Sequence, residues 1–170
     1  EKLARGTISA VANEYAWGNL TISSGSTFLN TATALESFSN VGANVVYNAG
    51  NTQGPARVGA FANDTTTRAE SGAGYYGAME LSGNLHERTI TIGKPEGRVY
   101  NGIHGNGQVD NTGNFDVSNW PATDAIGARF RGGSFSNGTG FLKISARNIA
   151  SLILDDRGQN DTGRGVRSVP

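Results

Sequence analysis

Cysteine is absent from this 170-residue sequence. Its absence excludes disulfides, thiolate metal sites and cysteine nucleophiles. It leaves the compartment open, because an exported domain with an adequate core needs no cross-link. No run approaches the roughly 18 apolar residues of a membrane-spanning helix. Glu1-Lys2-Leu3-Ala4-Arg5 has the wrong polarity for a signal peptide, and a trimmed chain would read the same. Charge of one sign is lacking too: 14 Lys plus Arg balance 14 Asp plus Glu. No long-range field draws such a chain to nucleic acid or to an anionic membrane.

Glycine is present in quantity, at 25 residues, and asparagine is abundant, while Lys, Glu and Leu are few. Gly and Asn tolerate positive φ and build turns, so many loops, short strands and few helices are expected. Two Trp, five Tyr and seven Phe among spaced apolar runs speak for a packed core and against disorder. The length suits one domain.

Along the chain, residues 1–6 read as a helix end with Gly6 at its C-cap. Residues 13–19 read as a turn pinned by aromatics, 42–61 as a short apolar run and then a Gly/Asn loop, and 63–74 as a polar surface loop. Alternation over Arg88–Ile92 predicts a strand. Residues 101–114 read as a long ordered loop, of the kind that carries function or ions. A strand is expected entering a glycine corner over 128–135, another over 141–150, and a short one near the C terminus. The fold class is α+β, rich in irregular structure.

Six short stretches then fall in one order: ARG at 4–6, EYAWGN at 14–19, ELSGNLHE at 80–87, FRGGSF at 130–135, SAR at 145–147 and GVR at 165–167. The series resembles the formylglycine-generating enzyme and sulfatase-modifying-factor family over the whole chain. No single tag is specific; the shared order is the evidence. The resemblance implies a C-type-lectin-like fold of short twisted sheets, few helices and long ordered loops. It also implies that residues 1–170 are the C-terminal portion of a longer family domain.

The departures bear on function. Oxidising members carry a copper-binding cysteine pair after the Gly-Gly-Ser corner. Here Asn137 and Thr139 stand about there, and neither forms a copper thiolate. Formylglycine generation is not supported and no copper site is expected. The iron-dependent relatives need a histidine cluster on a separate bundle, and only His86 and His104 are present.

The resemblance implies a calcium site at Glu80 and Glu87 by side chain and Gly83 and Leu85 by carbonyl. Calcium takes about six to eight oxygens in flexible geometry, and a tight turn supplies several. The other reading makes both carboxylates surface or capping groups. A weaker second site falls on Asn44 and Val45, completed by Asn48, Asn51 or a carbonyl. His86 stands where the family usually has Trp, so a packed ring is preferred to a general base beside Glu87. Arg131, Arg147 and Arg167 are expected to make internal ion pairs, with Asp155, Asp156 and Asp161 as partners.

The expected function is a non-catalytic binding or assembly module, secreted or displayed at a cell surface. Its partner would be a protein, a glycan or the same chain, met through loops 101–120 and 136–162. Tyr100, Phe115, Trp120, Asn137 and Phe141 are the candidate ligand-binding residues, since aromatics amid Asn and Gly suit adaptable recognition. The alternatives are a structural subunit of a filament, capsid or surface layer, a retroelement-diversified receptor-binding protein, and an enzyme using His86, Glu87 or His104.

Overall fold

The structure is a computed structural model and describes residues 1–48, 54–101, 108–112, 126–150 and 158–162. Regular elements are short: α1 (Lys2–Arg5), β1 (Phe28–Leu29), β2 (Ser37–Phe38), β3 (His86–Ile90), α2 (Pro95–Arg98), β4 (Ala128–Arg131), α3 (Thr139–Leu142) and β5 (Asp161–Thr162). They form two small sheets with little helix, a mixed α+β arrangement. β1 and β2 pair antiparallel; the second sheet has order β4-β3-β5, with β3 antiparallel to β4 and parallel to β5. No helix among the described residues is long and apolar enough to cross a membrane.

The chain builds two cores on either side of one extended segment. Val45 packs with Ala4, Tyr15, Trp17, Leu142 and Ile144. Its neighbour Val46 packs with Ala43, Ala56, Ala60 and Phe61, flanked by Phe28 and Phe38. Successive side chains of extended backbone point to opposite faces, so two adjacent valines serve two cores. Both valines and Leu142 are fully buried; each is worth about 1.5–3 kcal/mol of apolar transfer. Aromatic rings close the cores: Tyr15 stacks on Trp17 at 5.1 Å and Phe38 on Phe61 at 4.7 Å.

The Ser82-Gly83-Asn84 turn stitches these parts together. Ser82 Oγ accepts from Ala16 N at 3.1 Å and donates to Leu142 O at 2.7 Å. Gly83 N donates to Gly132 O, and Asn84 N to Val46 O. Asn84 O accepts from Phe135 N. A turn expected from sequence is therefore the junction of the glycine corner, the valine segment and the Tyr15–Trp17 turn.

Several expectations change. Residues 141–150 hold the end of α3 and turns rather than a strand. After α3, Lys143 is extended, and Ile144 N donates to Glu14 O at 3.0 Å, a lone bond rather than a ladder. The strand expected over Arg88–Ile92 starts earlier, at His86, and ends at Ile90. The 63–74 loop is not wholly at the surface: Ser71, Gly72, Ala73 and Gly74 are buried. Arg68 draws them in. Its guanidinium donates to Ala4 O, Ala16 O and Ala73 O at 2.8, 2.8 and 3.2 Å, and lies over the Tyr75 ring.

Candidate functional site

The candidate site lies where β3, β4 and β5 meet the glycine corner. Alternation along β3 puts His86 and Arg88 on one face and Glu87 on the other. Phe130 of β4 lies opposite Arg88 in register. Its ring stacks on His86 at 5.4 Å and takes the Arg88 guanidinium at 4.5 Å, a cation–π geometry. His86 Nδ1 lies 3.2 Å from Asp161 Oδ1, and His86 N donates to Asn160 O at 2.7 Å. The Asp161 carboxylate favours the tautomer with the proton on Nδ1 and the lone pair on Nε2.

A shallow cleft beside this stack, with room of about 10 Å³, is lined by His86, Phe130, Arg131, Gly133, Phe141 and Asn148. It is smaller than the roughly 300–1,000 Å³ of sites for drug-sized ligands. Burial lowers the Arg131 pKa from its ordinary value, because desolvation disfavours the cation. Arg131 donates to Ile144 O, and Arg131 and Arg147 both meet the Glu1 carboxylate. Glu1 is thus their carboxylate partner among the described residues, and Asp161 pairs with His86. Arg167, Asp155 and Asp156 lie outside the described residues.

The turn suggested for calcium has two buried carboxylates, Glu80 at 6% exposure and Glu87 at 9%. Glu80 has φ of 61° and Gly83 of 81°; Leu85 is half-buried. Buried carboxylates at each end of a turn rich in carbonyls are the donor chemistry that calcium takes. Glu87 lies opposite Arg131 in register, while the carboxylate that Arg131 meets is that of Glu1. Among the described residues no three His, Asp or Glu side chains gather in a metal-binding group, so backbone and amide oxygens would supply most of the shell.

At the weaker second site, Asn44 Oδ1 accepts from Ser23 N at 3.0 Å and Nδ2 donates to Ala69 O at 3.0 Å. Val45 O accepts from Gly25 N. These groups already hold the fold together. Asn48 N donates to Asn137 O, and Asn51 lies outside the described residues.

Of the ligand-binding candidates, Asn137 and Phe141 come together at the corner that leads into α3, where Phe141 N donates to Gly138 O. Asn137 Oδ1 accepts from Ser134 N at 2.9 Å and from Ser134 Oγ at 3.0 Å. Thr139 starts α3 near the Tyr15 hydroxyl, and its influence partly offsets the upward push of burial on that phenol. Tyr100 is half-buried just after α2. Phe115, Trp120 and His104 lie outside the described residues.

The sequence marks Asp161 as an arginine partner, not as the partner of His86, and it does not mark Asn160 or Ser136. Asn160 Nδ2 donates to Ser136 Oγ at 3.0 Å. Nothing in the spacing announces partners 75 and 24 positions apart. No family model matches this chain, and no curated protein or solved structure matches it either.

Proposed function

We propose that this chain is a non-catalytic binding module on a lectin-like scaffold of the sulfatase-modifying-factor type, exported or displayed at a surface. What supports the reading is the use made of Asn137. Standing about where oxidising members of that family carry a first cysteine, its amide oxygen is committed to Ser134 N and Oγ. Thr139, roughly where the second would fall, opens α3 near the Tyr15 hydroxyl. Both shape the corner loop, and the loop is left to present Ser136, exposed, and the half-buried Phe141. The partner is a glycan or protein that meets this corner. Calcium belongs in the same proposal as a structural ion at Glu80, Gly83, Leu85 and Glu87, keeping two buried carboxylates compensated.

The test is a panel of immobilised glycans and surface proteins, followed by titration calorimetry of each hit. Binding weakened at least about tenfold by Ser136→Tyr or Phe141→Ala, with the fold intact, supports the reading. Hits that ignore both substitutions, or turnover of a bound compound that His86→Phe abolishes, overturn it.

Assembly is the second reading. Leu35, Val41 and Val58 are exposed by 75%, 102% and 58%, and a chain without net charge has little to keep copies apart. Light scattering across a concentration series separates the two: a monomer throughout removes assembly.

A further inference from the structure

We infer that Asn63 is an acceptor site for an N-linked glycan, and that the fold withholds the other tripeptides of the same kind. Asn-x-Thr, with x other than Pro, is the pattern at which an oligosaccharide is transferred to an asparagine amide. It occurs at Asn19-Leu20-Thr21, Asn63-Asp64-Thr65, Asn137-Gly138-Thr139 and Asn160-Asp161-Thr162. The donor class is an oligosaccharide on a polyprenyl pyrophosphate. Asn63 Nδ2 bonds to the anomeric carbon of the first sugar, and the bond from that carbon to the pyrophosphate oxygen breaks. The lipid pyrophosphate leaves, and the amide nitrogen gives up one proton. The inference rests on the exported or surface-displayed reading for its setting, since this modification marks surface loops of secreted proteins.

A transferase seats the whole tripeptide in its own active site. The segment must therefore be exposed and able to leave the surface without dismantling the core. Asn63, Asp64 and Thr65 are all exposed. Their bonds stay within one turn. Thr65 N and Oγ1 donate to Asn63 Oδ1 at 2.9 and 2.8 Å, Asn63 N donates to Thr66 Oγ1 at 3.0 Å, and Thr66 N and Oγ1 donate to Asn63 O. These bonds engage the amide oxygen and leave Nδ2 open to the sugar. The other three tripeptides are tied to distant parts of the fold. Asn19 O accepts from Tyr15 N, and Thr21 O accepts from the indole of buried Trp17. Asn137 Oδ1 is held by Ser134, and its carbonyl accepts from Asn48 N. Asn160 gives the sharpest contrast, because its tripeptide has the same three residues as 63–65. There Nδ2, the atom that would take the sugar, donates to Ser136 Oγ, and Asp161 and Thr162 form β5.

The test is transfer to the purified, folded full chain by an oligosaccharyltransferase supplied with a lipid-linked oligosaccharide, the filled sites being read by peptide mass. Asn63 is expected to fill at least about tenfold faster than Asn160 on the folded chain. Synthetic peptides spanning the two tripeptides are expected to accept alike. No glycan at Asn63, equal filling of Asn160 on the folded chain, or the same preference in the peptides overturns the inference. Thr65→Ala, in an exposed turn, is expected to slow transfer at Asn63 at least about tenfold, while Thr65→Ser keeps the pattern and the transfer. Unchanged transfer in the alanine variant counts against the site. A natural chain without a glycan, when Asn63 accepts one in the purified reaction, would count against export and not against the acceptor.

Discussion

Asn84 and Ala56 exchange two hydrogen bonds, one in each direction. Ala56 N donates to Asn84 Oδ1 at 2.8 Å, and Asn84 Nδ2 donates to Ala56 O at 3.0 Å. Both residues are buried, so the amide side chain acts as a strand partner for a segment that has none among the described residues. Asn84→Ala leaves the N–H and C=O of Ala56 buried and unmet. The expected loss is about 2–5 kcal/mol, read as a lower urea midpoint at unchanged slope. A loss under about 1 kcal/mol would mean that water replaces the amide freely.

Gly83 and Gly42 make a controlled pair. Both have positive φ, 81° and 80°. A Cβ on Gly83 would lie 2.4 Å from Val45 Cγ2 and 2.5 Å from Val46 O, while Gly42 meets nothing within 4 Å. Gly42→Ala carries only the left-handed backbone penalty, about 1 kcal/mol. Gly83→Ala adds displacement of the valine segment between the two cores, so it is expected to cost at least about 3 kcal/mol or to prevent folding. Thermal melts of both variants decide it; equal costs would remove the packing argument.

Arg68→Lys tests the clamp on the 63–74 loop. One ammonium cannot reproduce a planar fork that reaches three carbonyls from separate segments. A loss of about 1–3 kcal/mol is expected, with faster proteolysis between residues 63 and 74. Wild-type stability in the lysine variant would show that charge alone holds the loop.

Glu70 carries a pH dependence. Its carboxylate accepts from Thr67 N at 2.8 Å and from Thr67 Oγ1 at 2.7 Å, while Glu70 N donates back to Thr67 Oγ1. The backbone bond first, then the hydroxyl, lowers its pKa from 4.5. A carboxylate depressed on folding stabilises above its unfolded pKa and loses that contribution as pH falls through the folded value. Wild type is therefore expected to melt above Glu70→Gln at pH 7, with the gap closing below about pH 4. A gap that widens on acidification would reverse the assignment.

That Thr67–Glu70 pair was readable from its Thr-x-x-Glu spacing, the pattern of a capping box. No apolar helix follows it, so the spacing alone does not announce a cap. The legible parts were those set by local backbone chemistry: Gly6, with φ of 62° at the end of α1, the 82–84 turn, and β4 running into Gly132 and Gly133. Residues 141–150 misled because Leu142 and Ile144 both enter one core while alternating with polar neighbours. Period-two burial arises equally from a helix end followed by one extended residue, and only pairing partners tell the two apart. His86 with Asp161 and Arg131 with Glu1 were illegible for a different reason: they are long-range contacts, and one sequence carries no record of which distant charges meet.

Calcium is the prediction on which the 80–87 turn depends. If the ion binds the folded chain alone, saturating it at about 100 times its Kd adds about 2.7 kcal/mol of stability, seen as a higher melting temperature that chelation reverses. Glu80→Gln and Glu87→Gln are each expected to abolish that increment. The increment, and not the melting temperature itself, is the informative quantity, because Glu87→Gln also removes a buried charge that favours the Glu1 ammonium. Magnesium at equal concentration should add much less, since its small octahedral shell fits poorly to a turn of mixed carbonyls and carboxylates. No shift with calcium up to about 10 mM, beyond the affinity range of extracellular calcium modules, would assign Glu80 and Glu87 to internal ion pairing instead.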